Sequence, residues 1–384
     1  MSEYQYYEFQ AVDRPLSAED QAALRAISTR ARITPLSFTN HYDWGDLKAS
    51  PVDMMERWFD LHVYMANWYT RIFMLRLPRR LFDPKAVRPY ASGWTLEVEG
   101  KGGNVILAFQ ADELDIDAED DGSGWMAALA PLRAQLLEGD LRCLYLAWLL
   151  AVQQGEFEDE DDEAPRPPGL SQLDGALRAF IEYFQLDEDL VATAAEGDDP
   201  AADPLTDEAL TAFVRGLPAT EKDALLLRLV RGEGATLPSE LRRRCRETLQ
   251  DPRRSASTAK PRRVGDLRAA AEARAQERER LAAERAAAEQ ARRERAEAEA
   301  RARRLEDLAK RVEAAWLEVE DLIDAKRAFE YEQAVGLLLD LKALAERDGW
   351  EADFRSRLAH LRARHARKGS LIGRLDRAGL HGRG

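Results

Sequence analysis

The stretch Trp94-Thr-Leu-Glu-Val-Glu-Gly-Lys-Gly-Gly-Asn-Val-Ile-Leu-Ala-Phe-Gln-Ala111 decides the fold class of the N-terminal part of the chain. Residues 94–99 and 104–111 are rich in the β-branched and aromatic side chains that favour strands. The glycines at 100–103 favour a hairpin turn, and they lack the Gly-Lys-Ser/Thr ending of a phosphate loop. The sequence therefore predicts a β-hairpin here, and the aromatic segment Tyr4–Val12 predicts a further strand.

Helical patterns surround these strands. Ser17-Ala-Glu-Asp20 resembles a capping box and predicts the start of a helix. Pro51 fits the first turn of a helix that Pro78 would stop, so we expect one helix over 51–77. After residue 170 the apolar residues follow helical spacing. The expected fold is an α+β N-terminal domain followed by all-α regions, including a long charged helix and a C-terminal helical hairpin.

Composition divides the chain into segments. Residues 156–163 hold seven carboxylates in eight positions and are followed by a Pro-rich stretch, which indicates a solvated boundary. Residues 1–154 are therefore expected to fold alone. The predicted segments are an α+β domain (1–154), an acidic and Pro-rich linker (155–169), a small helical domain (170–250), a basic linker (251–264), a long charged helix (265–311), a helical hairpin (312–368) and a disordered basic tail (369–384).

The predicted long helix contains mainly Ala, Arg, Glu and Gln, with no Gly or Pro over 267–311. These residues favour helix, and oppositely charged side chains recur four positions apart. Large apolar residues are too sparse to fill the a and d positions of every heptad. We expect a mostly solvated helix rather than a strong coiled coil, although a weak coiled coil remains the alternative.

Charge is distributed unevenly along this acidic chain, whose formal net charge is −14. Residues 1–238 hold 21 basic and 43 acidic side chains, whereas 239–310 hold 21 basic and 14 acidic ones. Such asymmetry predicts contact with a charged partner, or between segments of the same chain.

Location and metal binding follow from other features of the sequence. Two widely separated cysteines and the absence of a signal-peptide pattern predict a cytoplasmic protein. Charged residues interrupt the most apolar segment, so no membrane span is expected. Five dispersed histidines predict neither a metal site nor a cofactor.

The predicted helix 51–77 carries a candidate ligand site. Asp60, Tyr64, Asn67 and Arg71 are spaced so that they would share one helical face. A carboxylate, a phenol, an amide and a guanidinium on one face suit a polar ligand. The alternative is a solvated face held by internal salt bridges.

A second candidate is a basic cluster within residues 242–263, which hold nine basic and two acidic side chains. It suits weak, non-specific contact with nucleic-acid phosphates, or contact with an acidic partner. No aromatic residue is interleaved, so base stacking is not expected. The alternative is a solvated linker. The candidate residues are Arg242, Arg243, Arg244, Arg246, Arg253, Arg254, Arg262 and Arg263.

Two segments resemble known sequences. The segment 331–340, beginning Tyr331-Glu-Gln-Ala-Val, with Phe354-Arg-Ser-Arg-Leu-Ala-His and Arg374-Leu-Asp-Arg-Ala-Gly-Leu380, resembles the terminal module of bacterial SWIM zinc-finger proteins. The zinc signature, Cys-x-Cys followed by Cys-x-His, is absent. The opening Tyr7-Glu-Phe-Gln-Ala-Val-Asp-Arg-Pro-Leu16 resembles that of an uncharacterised bacterial family. The first resemblance implies a docking element near nucleic acid, and no functional residue carries over.

The function that these features favour is a non-enzymatic adaptor or scaffold, joining protein partners through its N-terminal domain and C-terminal helices. One alternative is a nucleic-acid-associated accessory protein that uses the basic segments 242–263 and 355–384. The other is an enzyme or ligand-binding domain that uses the polar face of 51–77.

Overall fold

The computed structural model describes residues 4–114, 120–197, 205–249 and 261–381. It confirms the expected fold class, an α+β N-terminal part followed by all-α regions. Two compact units share the chain, which we call unit 1 (Met1–Arg278) and unit 2 (Glu279–Gly384). Among the described residues, no helix has both the length and the apolar character that crossing a bilayer requires.

Unit 1 contains a seven-stranded antiparallel sheet with the order β2-β3-β1-β4-β5-β7-β6. Its strands are β1 (Gln5–Gln10), β2 (Arg32–Thr34), β3 (Ser37–Tyr42), β4 (Leu61–Ala66), β5 (Thr70–Pro78), β6 (Leu96–Lys101) and β7 (Asn104–Ala111). The hairpin predicted from residues 94–111 is β6–β7, in which Lys101 pairs with Asn104.

Unit 1 also contains helices, and the first seven of them pack on the two faces of this sheet. The helices are α1 (Ala18–Ile27), α2 (Pro51–Arg57), α3 (Trp125–Leu129), α4 (Pro131–Leu137), α5 (Arg142–Gln153), α6 (Gly175–Tyr183), α7 (Glu188–Ala194), α8 (Asp207–Gly216), α9 (Ala219–Val230) and α10 (Leu237–Leu249). The predicted capping box is present at α1. The Ser17 side chain accepts a hydrogen bond from the Asp20 backbone N–H, and the Asp20 side chain accepts one from the Ser17 backbone N–H. Residues of α1 and α2 pack with one sheet face, and α3 to α7 contribute to the core on the other.

The prediction of one helix over 51–77 is wrong, because only α2 is helical and β4 and β5 follow it. All six residues of β4 are buried. A short run that is apolar on both sides has no clear period, so it is easily mistaken for part of a helix. The residues between the strands, including Tyr69 with φ of 77°, form the hairpin turn.

The acidic segment is not a solvated linker. Asp162 forms an antiparallel bridge with Arg263, and the Glu163 backbone N–H donates to the Arg262 carbonyl at 2.9 Å. The backbone N–H groups of Val264 and Gly265 donate to the carbonyls of Asp161 and Asp159. We call residues 156–163 with 262–268 the acidic clasp. Its two segments lie about a hundred residues apart in the chain, so no local pattern indicates the pairing.

The main core of unit 1 extends across the predicted boundary at 154. Leu107 and Phe109 of the sheet share it with Leu177 and Phe180 of α6 and with Leu267. Phe109 and Phe180 meet edge to face at 5.4 Å between ring centroids. Residues 1–154 therefore contribute only part of the core that covers this face of the sheet.

The predicted long helix is α11 (Val264–Ala309), and residues 276–304 within it are exposed, as expected of a solvated helix. Unit 2 continues with α12 (Val312–Asp324), α13 (Ala328–Asp348), α14 (Glu351–Arg364) and α15 (Gly369–Arg377). The predicted hairpin turn lies at Gly349, which has φ of 79° and ends α13.

The expectation of a disordered tail from 369 is wrong for the described residues up to 381. Leu371 and Leu375 of α15, together with Leu380, are buried in the core of unit 2. These three leucines outweigh the glycine-rich and basic composition that suggested disorder, because burying each of them stabilises the packed helix by about 1.5–3 kcal/mol.

Candidate functional site

The four candidate ligand residues lie in and around the β4–β5 hairpin and do not share a face. Asp60 precedes β4, Tyr64 lies within it, Asn67 is in the turn and Arg71 is in β5. Arg71 pairs with Met65, next to Tyr64 in the strand, so Tyr64 and Arg71 point to opposite sides of the sheet. The predicted polar face therefore does not exist.

Asp60 belongs to a buried ion network and is completely inaccessible. Its carboxylate lies 2.8 Å from Arg76 and 3.5 Å from Arg133, and it accepts hydrogen bonds from the backbone N–H groups of Val12 and Asp13. Burial opposes ionisation, but the two guanidinium groups and the N–H donors hold the pKa of Asp60 below its usual value. Asp60 therefore fixes the start of β4 rather than presenting a charge to a ligand.

Arg71 is buried in a different network. Its guanidinium donates to the Tyr183 carbonyl at 2.6 Å and to Asp120 at 2.7 Å. It lies 5.1 Å from the Tyr183 ring centroid and 5.4 Å from that of Trp125, within the range of cation–π attraction. Arg71 thus links the sheet to α3 and α6.

The other two candidates form hydrogen bonds near the beginning of β1, which is an inner strand of the sheet. The buried Tyr64 hydroxyl donates to the Gln5 side chain at 2.9 Å. The Asn67 side-chain oxygen accepts from the Tyr4 backbone N–H at 2.9 Å. Asn67 is exposed, and it lies beside the surface described below.

The basic candidates on α10 are paired with acidic or carbonyl groups of unit 1. Arg242 and Arg246 bind the two oxygens of Glu138 at 3.2 and 2.8 Å, and Arg244 binds Glu221 at 2.5 Å. The Arg243 guanidinium donates to the carbonyl of Leu81 and lines an open cavity of about 670 Å³.

The described basic candidates after α10 also bind carboxylates of unit 1. Arg262 binds both oxygens of Glu163, at 2.7 and 2.8 Å, and Arg263 lies 3.0 Å from Asp162. Arg253 and Arg254 lie outside the described residues. The described members of the cluster thus bind carboxylates or carbonyls of the chain itself.

A different surface gathers exposed aromatic side chains at one end of the sheet. Gln5 of β1 pairs with Tyr42 at the end of β3 and with Ala66 at the end of β4. Trp44 and Trp68 each follow two residues after these paired positions. Trp44 is 69% exposed, Trp68 42% and Tyr69 49%.

Carboxylates lie close to Tyr4, whose backbone N–H bonds to Asn67, the residue before Trp68. Burial, followed by the carboxylates of Asp121, Asp43 and Asp120, raises the pKa of Tyr4 to about 12. The Tyr4 hydroxyl donates to the Asp121 carbonyl at 2.7 Å and lies 2.9 Å from Nδ1 of His41. Hydrogen bonds from Ser123 lower the pKa of Asp121, which is exposed and ionised at neutral pH.

The loop that carries Asp120 and Asp121 is held close to β1. Gly122 has φ of 82°, and a Cβ at this position would lie 2.7 Å from the Tyr6 ring. The centroid of the Tyr6 ring in turn lies 5.0 Å from the centroid of the His41 ring. Only glycine fits this approach without displacing the ring. We call the residues Tyr4, His41, Asp43, Trp44, Trp68, Tyr69, Asp120 and Asp121 the acidic aromatic surface.

Sequence reasoning missed this surface. The available signal was Asn67-Trp68-Tyr69, where two large aromatics follow a turn-forming residue, as they would in an exposed loop. The expected helix over 51–77 placed these residues within a helix instead of in a turn. That Trp44 and Trp68 lie at the same end of the sheet follows from the strand register, which no local sequence pattern indicates.

Metal binding and relatives give no further guide to function. No group of three or more His, Cys, Asp or Glu side chains suited to a metal ion occurs within the ranges that the structure describes. Comparisons with protein-family models, with curated proteins and with solved structures find no match, so function is inferred from the chain's own geometry.

Proposed function

We propose that this protein is a cytoplasmic, non-enzymatic adaptor whose unit 1 binds a basic segment of a protein partner through the acidic aromatic surface. The observation that carries the proposal is the exposure of Trp44, Trp68 and Tyr69 at the end of the sheet where the carboxylates of Asp43 and Asp121 act on Tyr4. Trp and Tyr are enriched at the centres of protein interfaces.

The chemistry of this surface favours Lys or Arg side chains from a partner. An aromatic ring attracts a cation over its face, and neighbouring carboxylates add Coulomb attraction. The Trp44 ring already accepts such a group within the chain, since the Arg30 guanidinium lies 4.9 Å from its centroid. A phenol whose pKa is about 12 stays protonated at neutral pH, so Tyr4 serves as a hydrogen-bond donor rather than as a base.

Unit 2 supplies a second apolar surface for an adaptor. Leu317 of α12 is 68% exposed and Phe329 of α13 is 67% exposed. Other apolar side chains of α12 to α15 form the core of unit 2, and ion pairs such as Arg364 with Glu320 at 3.1 Å join its helices. We propose that these two side chains contact a second partner.

The nucleic-acid alternative gains no support from the described arginines of 242–263. Their guanidinium groups would have to leave carboxylates or carbonyls of the same chain before they could bind phosphate. The acidic aromatic surface repels phosphate as well. A nucleic-acid role remains a prediction that binding to duplex DNA and RNA at physiological salt would test.

The adaptor proposal is tested by titrating the full chain with Lys- and Arg-containing peptides and with acidic peptides of equal length. We expect binding of the basic peptides only, decreasing with added salt because exposed charges are screened. The double variant Trp44→Ala/Trp68→Ala should weaken binding by about thirtyfold or more, the effect of losing an interface hot spot.

The matched control is Leu36→Ala, which removes an apolar side chain that is 52% exposed elsewhere on unit 1. It should leave peptide affinity unchanged. Equal affinity for basic and acidic peptides, or unaltered affinity in the double tryptophan variant with its fold intact, would refute the proposal.

A further inference from the structure

Helix α9 exposes an apolar face that unit 1 leaves uncovered. None of its residues is buried. Leu226 is 60% exposed, Leu227 53% and Val230 83%. Burying three such side chains is favourable by several kcal/mol, so their exposure marks a docking face rather than an ordinary solvated helix.

The segments that adjoin these helices in sequence offer no cover for this face. Residues 198–204, before α8, and 250–260, after α10, contain no Leu, Ile, Val, Met or aromatic residue. Each is rich in Asp, Pro, Arg, Ser or Ala. The occupant must therefore bring its own apolar side chains from elsewhere.

Charges flank the apolar residues in a self-complementary order. At about 100° per residue, Asp223, Leu226, Leu227, Val230 and Arg231 fall within an arc of about 140°. Asp223 lies four residues before Leu227 and Arg231 four residues after it. Within the part of the chain that the structure describes, neither charge forms an ion pair, and both are exposed.

We infer that α9 is a homodimer interface, in which two copies of the chain pack their α9 helices antiparallel about a two-fold axis near Leu227. In an isologous interface, a contact from residue i to residue j is repeated from j to i. Antiparallel pairing centred on Leu227 places Asp223 of each copy opposite Arg231 of the other. The apolar side chains then cover one another between two identical ion pairs.

The pairing is self-complementary only in this direction. A parallel arrangement would oppose Asp223 to Asp223 and Arg231 to Arg231, and like charges at close range are unfavourable. A standard interface buries about 800 Å² on each partner, and a 12-residue helix offers less area than that. We therefore expect a weak dimer with a Kd in the micromolar range. This inference is independent of the acidic aromatic surface.

The test is sedimentation velocity of the full chain over a wide concentration range. We expect a monomer–dimer equilibrium, with Leu227→Glu raising the dimer Kd by at least about tenfold. The matched control is Leu36→Glu, since Leu36 and Leu227 are 52% and 53% exposed. It should leave Kd unchanged, and far-ultraviolet circular dichroism confirms that both variants remain folded.

Charge exchange then tests the direction of pairing. Asp223→Arg alone and Arg231→Asp alone should each weaken the homodimer, whereas both changes in one chain should restore it. Mixing the two single variants should yield a heterodimer, because one then carries two positive and the other two negative groups at these positions.

Three results would overturn the inference. One is a full chain that stays monomeric at every concentration, another is a dimer whose Kd Leu227→Glu does not change, and the third is a double charge exchange that fails to restore the dimer.

Discussion

At the residue scale, the candidates chosen for chemistry prove to hold the structure together. Asp60 and Arg71 are each surrounded by groups from distant parts of unit 1, namely Arg133 and the loop at Val12 for the first and Tyr183 and Asp120 for the second. A buried charge with such partners is costly to leave unpaired. These two charged side chains therefore stabilise the fold rather than bind a ligand.

Substituting Asp60 by Ala should be among the most destabilising changes in unit 1. It leaves Arg76 and Arg133 without their shared carboxylate and two backbone N–H groups without an acceptor. We expect the free energy of unfolding to fall by about 3–5 kcal/mol in urea titrations. Arg14→Ala, which removes an exposed pair with Asp20, should cost less than about 1 kcal/mol. Equal small losses in both variants would contradict this assignment.

At the scale of elements, the acidic clasp holds the first turn of α11 against unit 1. The Glu163 carboxylate accepts from Arg262 at 2.7 Å and from the Tyr145 hydroxyl at 2.5 Å. Burial alone would raise the pKa of Glu163, but Arg262 and Tyr145 hold it below its ordinary 4.5. The acidic run 156–163 therefore forms one side of a contact within unit 1.

This lowered pKa predicts a pH dependence for the clasp. Because the folded carboxyl is the stronger acid, its stabilising effect is complete above pH 4.5 and disappears as the pH falls through the lower folded pKa. Glu163→Gln should reduce the free energy of unfolding by about 1–3 kcal/mol at neutral pH, and the difference should shrink in acid. Asp159→Asn, whose side chain is 66% exposed and pairs with Arg268, should cost less than about 1 kcal/mol. A Glu163→Gln deficit that stays constant with pH would rule out this role.

The long helix should keep its conformation outside the protein. Residues 276–304 of α11 are exposed, so its helicity rests on residue propensity and on pairs such as Arg293 with Glu289. The isolated segment 265–311 should be substantially helical by circular dichroism, monomeric at micromolar concentration and less helical in high salt. A tight dimer in sedimentation would instead make α11 an oligomerisation element.

At the scale of the whole molecule, the extent of the main core decides which fragments are stable. The sequence predicts that residues 1–154 fold alone, whereas the structure completes their core with Leu177 and Phe180 of α6 and with Leu267. Without these side chains, apolar residues that they cover, such as Phe109, would be left partly in water. A fragment of residues 1–278 contains all of them.

Thermal unfolding of the two fragments distinguishes these expectations. From the observed core we expect residues 1–278 to melt cooperatively and residues 1–154 to show a broad transition with exposed apolar surface. A sharp, reversible transition of the shorter fragment would restore the boundary at 154 as a true domain limit. The full chain provides the reference for both fragments.

The sequence by itself determined the elements whose signals are local. The capping box at Ser17, the hairpin at 100–103 and the helix 264–309 depend on residues close together in the chain, where propensity and turn chemistry act directly. Only the tertiary structure decided that residues 61–78 form a hairpin, since β4 is buried on both faces of the sheet and so carries no helical or alternating period. It also decided that the acidic run pairs with Arg262 and Arg263, and that Trp44 and Trp68 follow strands that end at the same end of the sheet. Those contacts join residues far apart in sequence, so they arise from strand register and burial rather than from any local pattern.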